Sequence, residues 1–159
     1  MPTLDKTDSD AAVLAELAQA LVRVRAGDLK VRLRRRTGVA GEVVDGFNEV
    51  VARQERQIRD LVRISRVVGR EGRLDERLDD DDADGAWSRG ASAVNALIDD
   101  LGRPTTEIAR VIVAVAEGDL TQHLANEIDG RPLRGEFLRI GRTVNTMVDQ
   151  LSSLSLIHI

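Results

Sequence analysis

The sequence predicts an all-α fold made of three consecutive helix–connector–helix units, and three observations lead there. The first is an internal repeat. "AGDLKVRL" from Ala26, "EGRLDERL" from Glu71 and "EGDLTQHL" from Glu117 each place a glycine two residues before a leucine, with a second leucine four positions further on. The second is composition: 31% charged and 42% hydrophobic residues with only 2% aromatics point to amphipathic helices around a thin aliphatic core. The third is the scarcity of proline, only Pro2, Pro104 and Pro132, which leaves room for long helices.

The chain opens with a polar stretch, residues 1–11, expected to be disordered. It lacks the apolar centre of a signal peptide. The first helix of each unit is read from apolar residues at steps of three and four, which share one helix face. These are Leu17, Leu21 and Val24 in the first unit and Ile108, Ile112 and Val115 in the third. The second unit has Leu61, Ser65 and Val68, with Ile64 alongside, and one extra residue before its glycine. Gly27, Gly72 and Gly118 are expected to end these helices, because glycine tolerates the positive φ that a side chain resists. Asp28 and Asp119 suit the turn that follows.

The connectors lengthen along the chain, from Gly27–Gly38 to Gly72–Gly85 to Gly118–Gly135. Their leucine pairs keep one spacing: Leu29 with Leu33, Leu74 with Leu78, and Leu120 with Leu124. Fixed spacing in segments of varying length reads as packed plugs. The second helices carry "GFNEVV", "AVNALI" and "TVNTMV". That register turns Phe47, Val50 and Val51, then Val94, Leu97 and Ile98, then Val144, Met147 and Val148 toward a core. Asn48, Asn95 and Asn145 recur within it, either as register-setting residues that demand a partner or as solvent-facing flanks. Trp87 is either a packing anchor or a contact at a helix start. Two amphipathic helices of about fifteen residues are marginal alone. A homodimer forming a four-helix bundle resolves this, with the connector running back outside so that both helices of a unit point the same way. An antiparallel hairpin satisfies the same pattern.

These motifs resemble the HAMP domain, the signal-relay module of sensor histidine kinases and chemoreceptors. The third unit carries the fullest set: Pro104 in the first helix, "EGDL" at Glu117, Gly135 with Glu136, and Val144 with Asn145. The first unit has "GDL" and "FN" but Val39 at the acidic position. The second has Ala86 there and Arg73 after its glycine, while "VGREGRLDERL" looks like alternate units of long HAMP arrays. The resemblance implies a homodimeric parallel four-helix coiled coil, with units at 12–54, 55–101 and 102–153. It also implies a relay passing conformational change between input and output domains of a two-component sensor histidine kinase. The parent enzyme would be an ATP-dependent protein-histidine kinase, and its response regulator would be met only through domains outside this segment. A chemoreceptor array, or a dimerising scaffold that only spaces domains, are the rival readings. Recurrent glycine connectors argue against a plain rod. The residues assigned to structure and signalling are Gly27, Leu29, Leu33, Phe47, Asn48, Gly72, Leu74, Leu78, Asn95, Pro104, Gly118, Leu120, Leu124, Glu136 and Asn145.

In an array, the second helix of one unit continues into the first helix of the next. Glu42 to Gly69 has no proline and spans about 40 Å as a helix. Polar Gln54 and Gln57, with Ile58 just off the stripe, predict a change of phase there. Gly102 and Pro104 predict a kink at the second junction, the alternative being that Pro104 occupies a first-turn position.

Other chemistry is poorly supported. A net charge of -4 disfavours nucleic acid, and Arg34, Arg35 and Arg36 read as a solvated turn. With no cysteine there is neither disulfide nor thiolate chemistry. No apolar run approaches the ~20 residues of a membrane helix, and a cytoplasmic location is expected, with membrane attachment through other segments left open. Asp79, Asp80, Asp81, Asp82 and Asp84 lack the spacing of a calcium loop. His123 has no second histidine beside it for metal or catalysis. No catalytic, cofactor or metal residue is assigned, and no phosphate-binding glycine loop occurs. The closing "LSLIHI", residues 154–159, resembles a translated sequencing adapter, so that His158 would carry no meaning.

Overall fold

The computed structural model describes residues 2–80 and 85–157. Among these residues four α-helices occur: α1 (Pro2–Arg25), α2 (Gly38–Ile64), α3 (Ala86–Ala116) and α4 (Gly135–Ile157). A two-stranded hairpin, β1 (Glu127–Ile128) with β2 (Arg131–Pro132), lies in the third connector. The chain divides into two compact units, Met1–Glu71 and Gly72–Ile159. That division falls inside the second predicted repeat, between its helix and its connector.

In the first unit α1 packs on α2 and buries Val13, Ala20, Val31, Val44 and Val51. Residues 2–11, expected to be disordered, belong to α1. Pro2 stands at the first helical position, where its missing N–H costs nothing. The direction of the helices follows from the ends of the connector. At its start Arg23 holds Asp28 (2.6 Å), and at its end Arg36 reaches back to Glu16 (3.1 Å) and Ser9 (3.3 Å). The connector therefore runs back along α1, and α2 begins near the early turns of α1 and runs parallel to it. Arg36 is thus tethered to α1, whereas the arginine run was expected to form a solvated turn.

In the second unit the later part of α3 packs on α4 around Val111, Leu124, Leu133, Val144 and Val148. Ile108, Val115, Ile128, Phe137 and Leu138 close over that cluster. The third connector also returns along its helix, since Arg131 pairs with Asp100 (2.6 Å) and Arg103 with Asp129 (3.5 Å). The hairpin accounts for the extra length of this connector. Asp129 and Gly130 turn it with φ of 52° and 76°, the left-handed pair that a tight two-residue turn needs. The largest fully buried side chains are Val44, Val111 and Val148, so the core is aliphatic and thin.

The buried stripe differs from the expected one. Leu21 and Ile112 are exposed, and Ala20 and Val111 are buried in their place. Likewise Ile64 and Val67 are buried while Leu61 and Ser65 are exposed. Each helix carries more apolar residues than one neighbour in the chain can cover: in the first helices Leu17, Val24, Ile108 and Val115 of the expected stripe are half-buried, and the most buried position lies one residue before the expected one. Val50, Leu97 and Met147, equivalent positions in the three second helices and all expected inside, are exposed for the same reason.

The junctions differ too. The helix after α2 continues as a π-helical turn, Ser65–Arg70, marked by Glu71 N–H to Arg66 C=O at 3.0 Å. The departure from α geometry is there, not at Gln54 to Ile58. It absorbs the extra residue of the second repeat: buried Ala20 and Val111 stand seven before their glycines, buried Ile64 eight before Gly72. At the second junction, where a kink was expected, α3 runs on through Gly102 and Pro104 and buries both. Thr105 Oγ1 donates back to the Leu101 carbonyl at 2.6 Å, one residue after the proline.

Candidate functional site

The site is built three times, where each connector meets the following helix. Residues in the connectors mostly lack strand or helix partners, so their buried backbone groups must be satisfied by side chains. Asn48 does this for Leu33: the Leu33 N–H donates to Oδ1 at 2.8 Å, and Nδ2 donates to the Leu33 carbonyl at 3.0 Å. Asn95 treats Leu78 in the same way, at 2.8 and 2.9 Å. Asn145 repeats it on Leu124, at 2.7 and 3.0 Å. A primary amide has the one acceptor and the donor needed to answer both backbone groups of a single extended residue. Each clamp fixes connector register, since a slip of one residue would turn those groups away. All six bonds are half-buried, so each contributes about 0.5–1.5 kcal/mol net.

The side chains of the clamped residues are the connector plugs. Leu78 and Leu124 are buried and Leu33 is half-buried. The earlier leucines, Leu29, Leu74 and Leu120, are half-buried. Sequence reasoning missed Val31 and Leu133, both buried. Their signal is faint: Val31 sits between two more conspicuous leucines, and Leu133 follows the hairpin peculiar to the third connector.

Gly27, Gly72 and Gly118 have φ of 95°, 71° and 90°. At the first and third, backbone N–H groups of the glycine and the next residue reach back to the helix, Gly27 to Val24 and Asp28 to Arg23, Gly118 to Val115 and Asp119 to Ala114. That closes the helix end with paired bonds that need the left-handed residue. Asp28 and Asp119 then accept from the N–H two residues on, Lys30 and Thr121, each at 3.0 Å. The Arg23 guanidinium, with the Lys30 N–H, holds Asp28 below the usual carboxylate range. The Thr121 hydroxyl and N–H do the same for Asp119. The second repeat has Arg73 at this position.

Of the remaining predicted residues, Phe47 is half-buried and Pro104 buried. Glu136 is exposed and pairs with Arg139 within α4. Trp87 is half-buried in the first turn of α3. Asp80 accepts from Ser92 at 3.2 Å, while Asp81, Asp82 and Asp84 lie outside the described residues, as does His158. Residues 154–157 continue α4 with Leu154, Leu156 and Ile157 exposed. No cluster of potential metal ligands occurs among the described residues. Among them, too, no helix is long and apolar enough to cross a membrane. Just before each clamped leucine stands a basic residue; sequence reasoning passed over Arg32 and Arg77 and weighed His123 only for metal binding and catalysis. Arg32 pairs with Glu55 (3.3 Å), Arg77 with Asp99, and His123 with Asp149 (2.7 Å).

Comparison with known families gives one match: the model described as HAMP domain covers residues 92–153. No solved structure matches the chain. The matched span takes in the later part of α3, the third connector with its clamp, and α4 up to Ser153. It starts ten residues before the third repeat as read from sequence, inside a helix that offers no break at which to place a boundary. One HAMP domain thus lies in this chain, and it supports a general role in signal-transduction relay.

Proposed function

We propose that a chain bearing a HAMP domain at 92–153 is a tandem array of three such units, at 12–54, 55–101 and 102–153. The array pairs with a second copy in a parallel four-helix coiled coil. It passes conformational change toward the output of a two-component sensor histidine kinase. The kinase chemistry, from ATP to histidine and on to a response regulator, belongs to domains outside this segment, and the array itself uses no cofactor.

The observation that carries the relay reading is the unbroken course of α3 from Ala86 to Ala116. One helix bears Asn95, which clamps the second connector, and Val111, which packs with Leu124 of the third. A rotation or shift imposed at one connector is delivered covalently to the next core. Thin aliphatic cores suit two alternative packings a few kcal/mol apart. Pairing with a second copy is favoured by the apolar residues left exposed. Leu14 and Leu21, Val43 and Val50, and Ile140 and Met147 each recur at a spacing of seven, the period of a coiled-coil seam.

The test is phase against length. Seven residues inserted after Leu101 lengthen α3 by ~10 Å and nearly restore the facing side chains, whereas two rotate everything downstream by roughly 200°. With the array joined to its kinase output, autophosphorylation should stay signal-dependent with seven and lock high or low with two. Circular dichroism and light scattering must first establish that both variants are helical and dimeric. Regulation unchanged by either insertion would make α3 a passive spacer.

A further inference from the structure

The cation before each clamped leucine is not the same kind of group in all three connectors. Arg32 and Arg77 hold Glu55 and Asp99, and arginine stays charged at every pH at which the protein is folded. In the third connector the position is His123, set 2.7 Å from Asp149 of α4. We propose that the third connector is a proton-gated latch, tied to α4 through His123 and Asp149 when the imidazole is protonated and loosened when it is neutral, while the first two connectors remain tied.

The latch sits on the clamp itself. Asn145 and Asp149 are one helical turn apart on α4 and hold the successive connector residues Leu124 and His123. Nε2 of His123 faces Asp149 Oδ1, and Nδ1 lies 3.4 Å from the Thr121 carbonyl. Only the imidazolium donates at both nitrogens, and the neutral ring has a single N–H and no charge. The other charged groups nearby are otherwise engaged. Asp119 in the connector accepts from Thr121 and Gln122, and Arg110 of α3 pairs with Glu107 and donates to Gln122. Asp149 is therefore the acid in contact. Its hydrogen bond is also the main cause raising the histidine above its usual value. With the folded value raised, the added stability is fully present below about pH 6.5 and is lost as pH rises through the folded value. The two side chains are 42% and 70% exposed, so solvent keeps the effect modest.

The inference concerns the chain's own connector and stands whether or not the array relays signals. In the full chain the His123 ring signal, identified by its absence in His123→Arg, should titrate with a midpoint above about 6.5 and return to it in Asp149→Asn. Amide protection factors over residues 121–125 should fall about two- to fivefold between pH 6 and pH 8.5. Those over 30–34 and 76–80 should hold steady. His123→Arg, which installs the residue type the other connectors use, should keep the third connector protected at both pH values. An unraised midpoint, protection independent of pH in the native chain, or a fall that persists in His123→Arg would each overturn the latch.

Discussion

Asn145 commits both ends of its amide to one connector residue, and its two counterparts do the same. Asn145→Ala should therefore leave the Leu124 N–H and carbonyl half-buried without partners, at a cost of about 1–3 kcal/mol by urea denaturation. Asn145→Asp retains the acceptor and loses the donor, placing a carboxylate against the Leu124 carbonyl. It should be no better tolerated at neutral pH, and a loss below about 0.3 kcal/mol in both variants would remove the clamp as a stabilising contact. The aspartates after the helix-ending glycines give a prediction of opposite pH sign to the histidine. Their folded values are lowered by Arg23 and Thr121, so their contribution is present above about pH 4 and disappears as pH falls through the folded value. Replacing Asp28 and Asp119 together by asparagine keeps the turn acceptors and removes the charge. Stability should then decline less steeply between about pH 5 and pH 3 than in the native chain, whereas equal slopes would contradict the assignment.

Among the elements, the π turn after α2 isolates the effect of a single residue. Because it absorbs one residue beyond the seven-residue spacing of the other repeats, deleting Gly69 should convert Ser65–Arg70 to ordinary helix. Melting should shift by only a few degrees. Deleting Ala109 from α3 removes a residue where nothing is in excess, and turns Pro104 and Ile108 about 100° out of phase with Val111. That variant should lose the cooperative transition or melt at least 10 °C lower, about 2 kcal/mol or more. If the two deletions are equally damaging, the π turn is not an accommodated insertion.

At the scale of the whole molecule, the chain buries a thin aliphatic core and leaves heptad-spaced apolar residues uncovered. The proposed second copy would cover them, and light scattering at micromolar concentration should then give twice the 17.4 kDa chain mass. Met147 lies on the uncovered face of α4 beside buried Val144 and Val148, so it separates association from folding. Met147→Asp should leave the helical circular dichroism of the dilute chain largely intact and weaken self-association about tenfold or more, since a charge would enter an apolar seam. A well-folded native monomer, or a Met147→Asp dimer as tight as the native one, would exclude this face as the contact.

The helices were legible because their signals are local. Steps of three and four, the three glycines after the stripes, and the repeated asparagine can each be read within a window of a few turns. The hairpin's Asp129–Gly130 turn was equally local but went unread inside a long connector. Which of two adjacent stripes is covered could not be read, since Ala20 and Leu21 are both apolar, and only the neighbouring helix and connector choose between them. The role of asparagine was undecided for the same reason: Asn48, Asn95 and Asn145 find their partners 15, 17 and 21 residues back in sequence, across connectors of unequal length. The sequence by itself determined an all-α chain with glycine-ended helices and leucine plugs, because backbone propensity and hydrophobic period act over short range. The tertiary structure decided the parallel course of each helix pair, the one-residue shift of the buried stripe, the π turn and the pairing of His123 with Asp149, because each depends on which distant side chain arrives at hydrogen-bonding or van der Waals distance.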